Sequence, residues 1–179
     1  MEFLHPLHIN ERNIIESIAE ALSSSIAYHE LFHSLQRIIL NKLQEDLTIK
    51  DRNYLLDILN KRNNREIQAS AFEIAIYYLE EGFNNAEVYE TINDNIFMCR
   101  EYIEEVNEPK DGKYLNEYIP YNLGFCYGGI IVAKYKSSLA ENIQDIIKDL
   151  IYLDEKRVID TIKLYGDNLK DNLKRRLYG

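Results

Sequence analysis

Residues 66–81 read EIQASAFEIAIYYLEE, and this stretch is apolar almost all the way round when it is wound as a helix. A helix of this kind must be covered on every side, so we expect it at the centre of the fold. Through most of the remaining chain, apolar residues recur at three- and four-residue spacing, and only seven Gly and three Pro interrupt them. The sequence therefore predicts an all-α fold.

Outward from this central segment, the same spacing predicts a single multi-helix bundle of about seven helices. The predicted helices are 11–43, 49–59, 66–81, 86–106, 120–137, 140–153 and 155–177. Asn10 and Thr48 are the expected N-caps of the first two, and the polar run 60–65 is the expected connection to the central helix. Residues 107–112 form the clearest loop signal. We expect one domain over 1–179, with any subdomain seam near 107–112.

The composition disfavours several classes of protein, among them nucleic-acid-binding, disulfide-rich and membrane-spanning proteins. Of the 179 residues, 46% are hydrophobic, which is enough to form a sizeable core. Lys and Arg number 21 against 30 Asp and Glu, so the formal charge of −9 has the wrong sign for a nucleic-acid-binding protein. Cys99 and Cys126 are too few and too far apart for a disulfide scaffold, which favours a reducing, cytoplasmic location. We expect no secretory signal and no membrane span, while the long amphipathic helices are compatible with a homo-oligomer.

The motif that suggests a metal site is HELFH at residues 29–33, in the middle of the longest predicted helix. Histidines four residues apart project from successive turns of a helix, so His29 and His33 can meet one Zn²⁺. Glu30 follows the first of them and is placed to take a proton from a water molecule. The competing interpretation is that the two histidines only form hydrogen bonds within a partly buried helix face.

This HExxH motif and its flanking apolar residues resemble the active-site helix of the zincin superfamily of zinc metallopeptidases. The resemblance implies His29 and His33 as zinc ligands and Glu30 as the general base. No His follows His33, so the longer metzincin signature is absent. The third ligand should then be a carboxylate from a later helix, which is similar to the gluzincin arrangement.

Three carboxylates on the predicted central helix are candidates for the third ligand. Glu81 lies in LEEGF, similar to the Leu-x-Glu-Gly-aromatic stretch that supplies this ligand in many gluzincins, and we favour it. Glu66 lies in EIQASAF, similar to the Glu-x-x-Ala-Asn-x-Phe stretch of the ImmA/IrrE-type metallopeptidases, and is the alternative. Glu73 is a carboxylate within an otherwise apolar segment, so it must be paired, ligated or neutralised.

Residues 120–132, PYNLGFCYGGIIV, support the choice of Glu81. They resemble a glycine-containing helix found downstream of the Glu-Gly ligand in a family of predicted bacterial zinc proteases. With Glu81 as the third ligand, Tyr118 or Tyr121 would supply a phenol that stabilises an oxyanion.

The sequence thus predicts a zinc-dependent metallopeptidase that hydrolyses a peptide or protein substrate by metal-activated water. The alternative is a non-catalytic helical interaction or regulatory protein in which the His pair is structural.

Overall fold

The computed structural model describes residues 25–80, 85–105, 118–135, 139–165 and 175, and all regular structure in these ranges is helical. In these ranges the helices are α1 (Ser25–Glu45), α2 (Arg52–Asn60), α3 (Arg62–Glu80), α4 (Asn85–Glu105), α5 (Ile119–Lys134), α6 (Leu139–Ile151) and α7 (Glu155–Tyr165). The prediction of an all-α multi-helix bundle is confirmed. The expected cap at Asn10 and the expected seam at 107–112 lie outside the described residues.

Within those ranges, no helix combines the length and the apolar character that crossing a membrane requires. The HELFH motif lies on α1, which extends to Glu45.

The start of α2 differs from the prediction, because Thr48 does not cap it. The backbone N–H and the hydroxyl of Thr48 both donate to Asp46 Oδ1, at 2.8 and 2.6 Å. This local turn lies just after the end of α1 and uses the side chain of Asp46 as its acceptor. The helix begins three residues later than predicted, at Arg52, after Asp51 in the left-handed conformation with φ of 60°.

The prediction that 60–65 is a connection was wrong, because only Lys61 separates α2 from α3. The last carbonyls of a helix need partners outside it, and here the first turns of α3 supply them. Asn64 Nδ2 donates to the carbonyl of Ile58 at 3.1 Å, and Arg65 Nη1 donates to that of Leu59 at 2.8 Å. The polar character of this run therefore reflects the capping of α2 by side chains of α3.

Helix α3 lies at the centre of the bundle, as its sequence predicts. It contacts α1, α2, α5, α6 and α7, and its most extensive contact is with α5. That contact is close because Gly124 and Gly128 of α5 lie directly on the α3 backbone: a Cβ added at either would come within 2.6 Å of a carbonyl oxygen of α3. Such an approach is open only to residues without a Cβ.

The remaining core joins α4, α6 and α7 to this centre. Cys99 of α4 and Cys126 of α5 are both free thiols within it. Burial raises the pKa of Cys99 to about 12 and also raises that of Cys126. Both side chains are therefore neutral, buried thiols that act as small apolar residues.

Helix α1 is anchored on α3 by Phe32, which is 1% exposed and packs against Phe72 with ring centroids 4.9 Å apart. Phe32 lies between His29 and His33 in the chain. Its burial therefore fixes the rotation of α1 and directs the neighbouring histidine face toward the N-terminal half of α3.

Candidate metal centre

The two motif histidines meet on the inner face of α1. The Nε2 atoms of His29 and His33 are 3.1 Å apart, and the rings are arranged edge to face. Their side chains are 11% and 21% exposed, so both are largely withdrawn from solvent. The i, i+4 spacing on one helix produces this convergence, as the sequence predicts.

Glu66 of α3 completes a group of three potential ligands. Its Oε2 lies 3.3 Å from Nε2 of His29 and 3.3 Å from Nε2 of His33. Four-coordinate zinc with ligand bonds of about 2.0–2.1 Å has its ligand atoms about 3.3–3.4 Å apart. The three measured separations, 3.1, 3.3 and 3.3 Å, are close to this value. The donor set, two imidazoles and one carboxylate, is also one that zinc commonly uses.

A second layer of α3 side chains contacts the far side of His29. Its Nδ1 lies 3.3 Å from Glu73 Oε2 and 3.5 Å from the hydroxyl of Ser70. Glu66, Ser70 and Glu73 follow i, i+4, i+7 spacing, so they form one polar stripe on an otherwise apolar helix. Glu73 is 8% exposed, and His29 is the partner that its burial requires.

The same contacts set the protonation of His29. Burial alone would lower its pKa, but the hydrogen bond and charge of Glu73, followed by those of Glu66, outweigh burial and raise the pKa above the ordinary 6.5. Without a metal, a proton is therefore held more tightly at this site than on a free imidazole.

The far side of His33 contacts a chain of buried amides. His33 Nδ1 lies 2.8 Å from Gln36 Oε1. Gln36 Nε2 donates to Gln68 Oε1 at 2.8 Å and to the carbonyl of Arg65 at 3.0 Å. Gln68 Nε2 donates to the carbonyls of Leu153 at 2.8 Å and Ile151 at 3.3 Å. This series of hydrogen bonds therefore ends at the backbone that connects α6 to α7.

Glu66 also faces the surface. Its Oε1 lies 3.8 Å from Nε of Arg62, whose side chain is 79% exposed. The ring of Tyr121, from α5, stacks over His29 with centroids 5.8 Å apart. Loss of hydration and the carboxylate of Glu66 raise the pKa of Tyr121, although Arg62 opposes them. The phenol is therefore protonated near neutral pH, and it donates toward the carboxylate of Glu66.

Most residues predicted for the site can be placed. His29 and His33 lie together, and they are joined by Glu66, the alternative third ligand. Glu73 contacts His29 from the side away from Glu66. Glu30 is exposed on α1, next to His29 in the chain. Glu81 lies outside the described residues and stays a prediction.

Of the two tyrosines proposed as phenol donors, Tyr121 lies against His29. Tyr118 directly precedes α5 and is 61% exposed. Two residues of the site, Gln36 and Gln68, were not singled out from the sequence. The sequence marks neither of them, because each has polar neighbours: Gln36 is followed by Arg37, and Gln68 lies between Glu66 and Ser70.

No known family model matches the chain, and comparisons with curated proteins and with solved structures find no match either.

Proposed function

We propose that the chain is a zinc-dependent hydrolase of peptide bonds, with His29, His33 and Glu66 as the metal ligands. The observation that carries the proposal is the convergence of three potential ligand atoms, from two helices, at separations of 3.1, 3.3 and 3.3 Å. The similarity of residues 66–72 to the third-ligand stretch of ImmA/IrrE-type metallopeptidases supports Glu66 in this role.

Electrostatics also favours a cation at this point. A carboxylate only accepts hydrogen bonds, so Glu73 directs a proton of His29 to Nδ1, leaving Nε2 of the neutral ring with its lone pair exposed. That lone pair points at Glu66 Oε2, which is itself an acceptor, 3.3 Å away. Two acceptors at this distance repel unless a proton or a metal ion lies between them. Zinc and protons therefore compete for the same position.

The surrounding side chains match the roles that peptide hydrolysis requires. Bound zinc would polarise the scissile carbonyl and lower the pKa of the attacking water. Glu30, exposed beside His29, would accept a proton from that water and deliver it to the leaving amine. The phenol of Tyr121, protonated near neutral pH and stacked on His29, would donate a hydrogen bond to the oxyanion that develops on the substrate.

Metal content tests the ligand set. Protein purified without added zinc, and again after zinc is supplied and excess removed, is measured by elemental analysis. About one zinc per chain is expected in the wild type, and a large loss in both His33→Ala and Glu66→Gln. Glu81→Gln is the matched carboxylate variant and should retain the metal. Retention by Glu66→Gln together with loss in Glu81→Gln would transfer the third-ligand role to Glu81.

Activity is tested separately from metal binding. Glu30→Gln should abolish cleavage of a mixed peptide library, followed by mass spectrometry, while zinc content and helicity stay at wild-type values. Glu45→Gln, an exposed glutamate at the other end of the same helix, is the control and should retain activity. Equal activity in Glu30→Gln and wild type would refute the assigned role of Glu30.

One observation favours a second candidate, a helical interaction protein with a structural His pair. His29 has a carboxylate on each side, Glu66 at Nε2 and Glu73 at Nδ1, so its protonated form is satisfied without a metal. On this alternative, neither purified nor zinc-supplied wild type retains metal, and Glu30→Gln changes nothing measurable.

A further inference from the structure

Two buried glutamines form a continuous link between His33 and the backbone that joins α6 to α7. Gln36 is 1% exposed and Gln68 is fully buried. Buried amides are costly unless each of their polar atoms finds a partner, and here both side chains use their oxygen and their nitrogen. The orientation of each amide follows from what lies at the far end of the link.

The far end is fixed because a backbone carbonyl can only accept a hydrogen bond. The amide atom of Gln68 that faces the carbonyls of Leu153 and Ile151 must therefore be its nitrogen. Its other atom, the oxygen, then faces Gln36 at 2.8 Å and needs a donor. Gln36 must supply its own nitrogen, and the carbonyl of Arg65, 3.0 Å from that same nitrogen, requires the same orientation.

The orientation of Gln36 determines which nitrogen of His33 carries a hydrogen. With the nitrogen of Gln36 committed, its oxygen faces His33 Nδ1 at 2.8 Å. That oxygen accepts only, so Nδ1 of His33 must carry a hydrogen, and in the neutral ring Nε2 then carries none. The Nε2 lone pair points at the position shared with His29 and Glu66.

From this order of donors and acceptors we infer that Gln36, oriented by Gln68 and the Arg65 carbonyl, is a positioning residue that sets the tautomer of His33 for metal binding. The inference rests on the proposed function, because it assigns Gln36 a role through a zinc ligand. Partners of this kind on the second nitrogen of a metal-bound histidine commonly change metal affinity by about 10–100-fold.

The tautomer is measured without any metal. Long-range ¹H–¹⁵N spectra of metal-free, histidine-labelled protein at about pH 8, above the ordinary imidazole pKa, identify which ring nitrogen carries the hydrogen. Wild-type His33 should carry it on Nδ1. In Gln36→Met, which keeps the volume but removes the acceptor, His33 should move toward the Nε2–H form. Zinc affinity, measured by competition with a chromogenic chelator, should fall by about 10–100-fold.

Asn64→Leu is the matched control. Asn64 is another buried amide, 3% exposed, and it also joins α3 to the start of α7, through the N–H of Glu155 at 2.9 Å. It has no place in the link to His33, so its replacement should lower stability but leave the tautomer and the zinc affinity unchanged.

The outcomes separate the two proposals. A wild-type His33 with its hydrogen on Nε2, or a Gln36→Met variant that keeps Nδ1–H, overturns the inference whether or not zinc binds. An equal fall in affinity in Asn64→Leu also overturns it, because a general loosening would then explain the effect. If the tautomer behaves as stated but wild type binds no zinc, the proposed function fails and the positioning role fails with it, leaving a purely structural link. Because the wild-type spectrum needs no variant, the first step is testable even if Gln36→Met does not fold.

Discussion

Replacing Gly124 by Ala should destabilise the protein, although alanine is the better helix former. The added Cβ would lie 2.6 Å from the carbonyl oxygen of Ile67 and 2.6 Å from Cβ of Ser70, where ordinary contact begins near 3.4 Å. Neither neighbour is the free end of a flexible side chain, so α3 and α5 must separate. Overpacking of this kind costs about 1–3 kcal/mol, and the higher helix propensity of alanine returns about 1 kcal/mol. Because both contacts, at 2.6 Å, are with a backbone oxygen and a Cβ that cannot move alone, the cost should lie in the upper part of that range, at about 2–3 kcal/mol, and the free energy of unfolding should fall by about 1–2 kcal/mol.

Gly129→Ala provides the comparison within the same helix. Its added Cβ would meet the side chain of Ile92. Turning that side chain about 30° off its rotamer costs about 0.5–1.5 kcal/mol, which the gain in helix propensity nearly offsets. Each variant adds one methyl group to the same helix. The difference between their free energies of unfolding therefore reports which atoms the added methyl group contacts.

Urea unfolding followed by circular dichroism would give both free energies, and thermal scans should show a Tm lower by about 2–8 °C for Gly124→Ala. A Gly124→Ala protein as stable as the wild type would refute the reasoning. So would a loss at Gly129 that equals or exceeds the loss at Gly124, because the rigidity of the α3 backbone would then not be what decides the cost.

Two further predictions concern the anchoring of α1. Phe32→Ala, at a position 1% exposed, should cost about 3–5 kcal/mol in urea unfolding, whereas Leu31→Ala, on the outer face at 36% exposure, should cost far less. In metal-free protein the raised pKa of His29 means that its protonated form stabilises the fold below about pH 6.5, and that this contribution is lost as the pH rises through the raised value. Urea midpoints across that range should fall with rising pH, and a His29→Gln variant should show a flatter dependence; an unchanged slope would contradict the contacts with Glu73 and Glu66.

The fold could be predicted from the sequence because apolar spacing and the scarcity of breakers depend on local pattern alone. The all-helical class and the central place of residues 66–80 follow from that pattern. The run 60–65 could not be assigned in the same way. Its polar residues resemble a connection, but Asn64 and Arg65 are polar because they satisfy carbonyls of the preceding helix. That use depends on how α2 and α3 lie against each other.

The site was predictable to the extent that it lies on one helix. The i, i+4 spacing fixes His29 and His33 on one face before any tertiary structure is known. A ligand from another helix depends on how the two helices are aligned, and periodicity cannot supply that alignment. Glu66 faces the histidines because α1 packs against α3 there. The contact between Phe32 and Phe72 fixes the position of α1 along α3.

The polar residues buried around the two histidines act on them in the same way. Glu73 and Gln36 each contact the Nδ1 atom of one imidazole, and each presents an oxygen to it. Acceptors at both Nδ1 positions leave both Nε2 atoms without hydrogens in the neutral rings, and these two atoms lie 3.1 Å apart with a carboxylate oxygen beside them. Three acceptors there are stable only with a shared proton or a metal ion, so the surrounding hydrogen bonds, more than the HELFH spacing itself, make this the place to look for zinc.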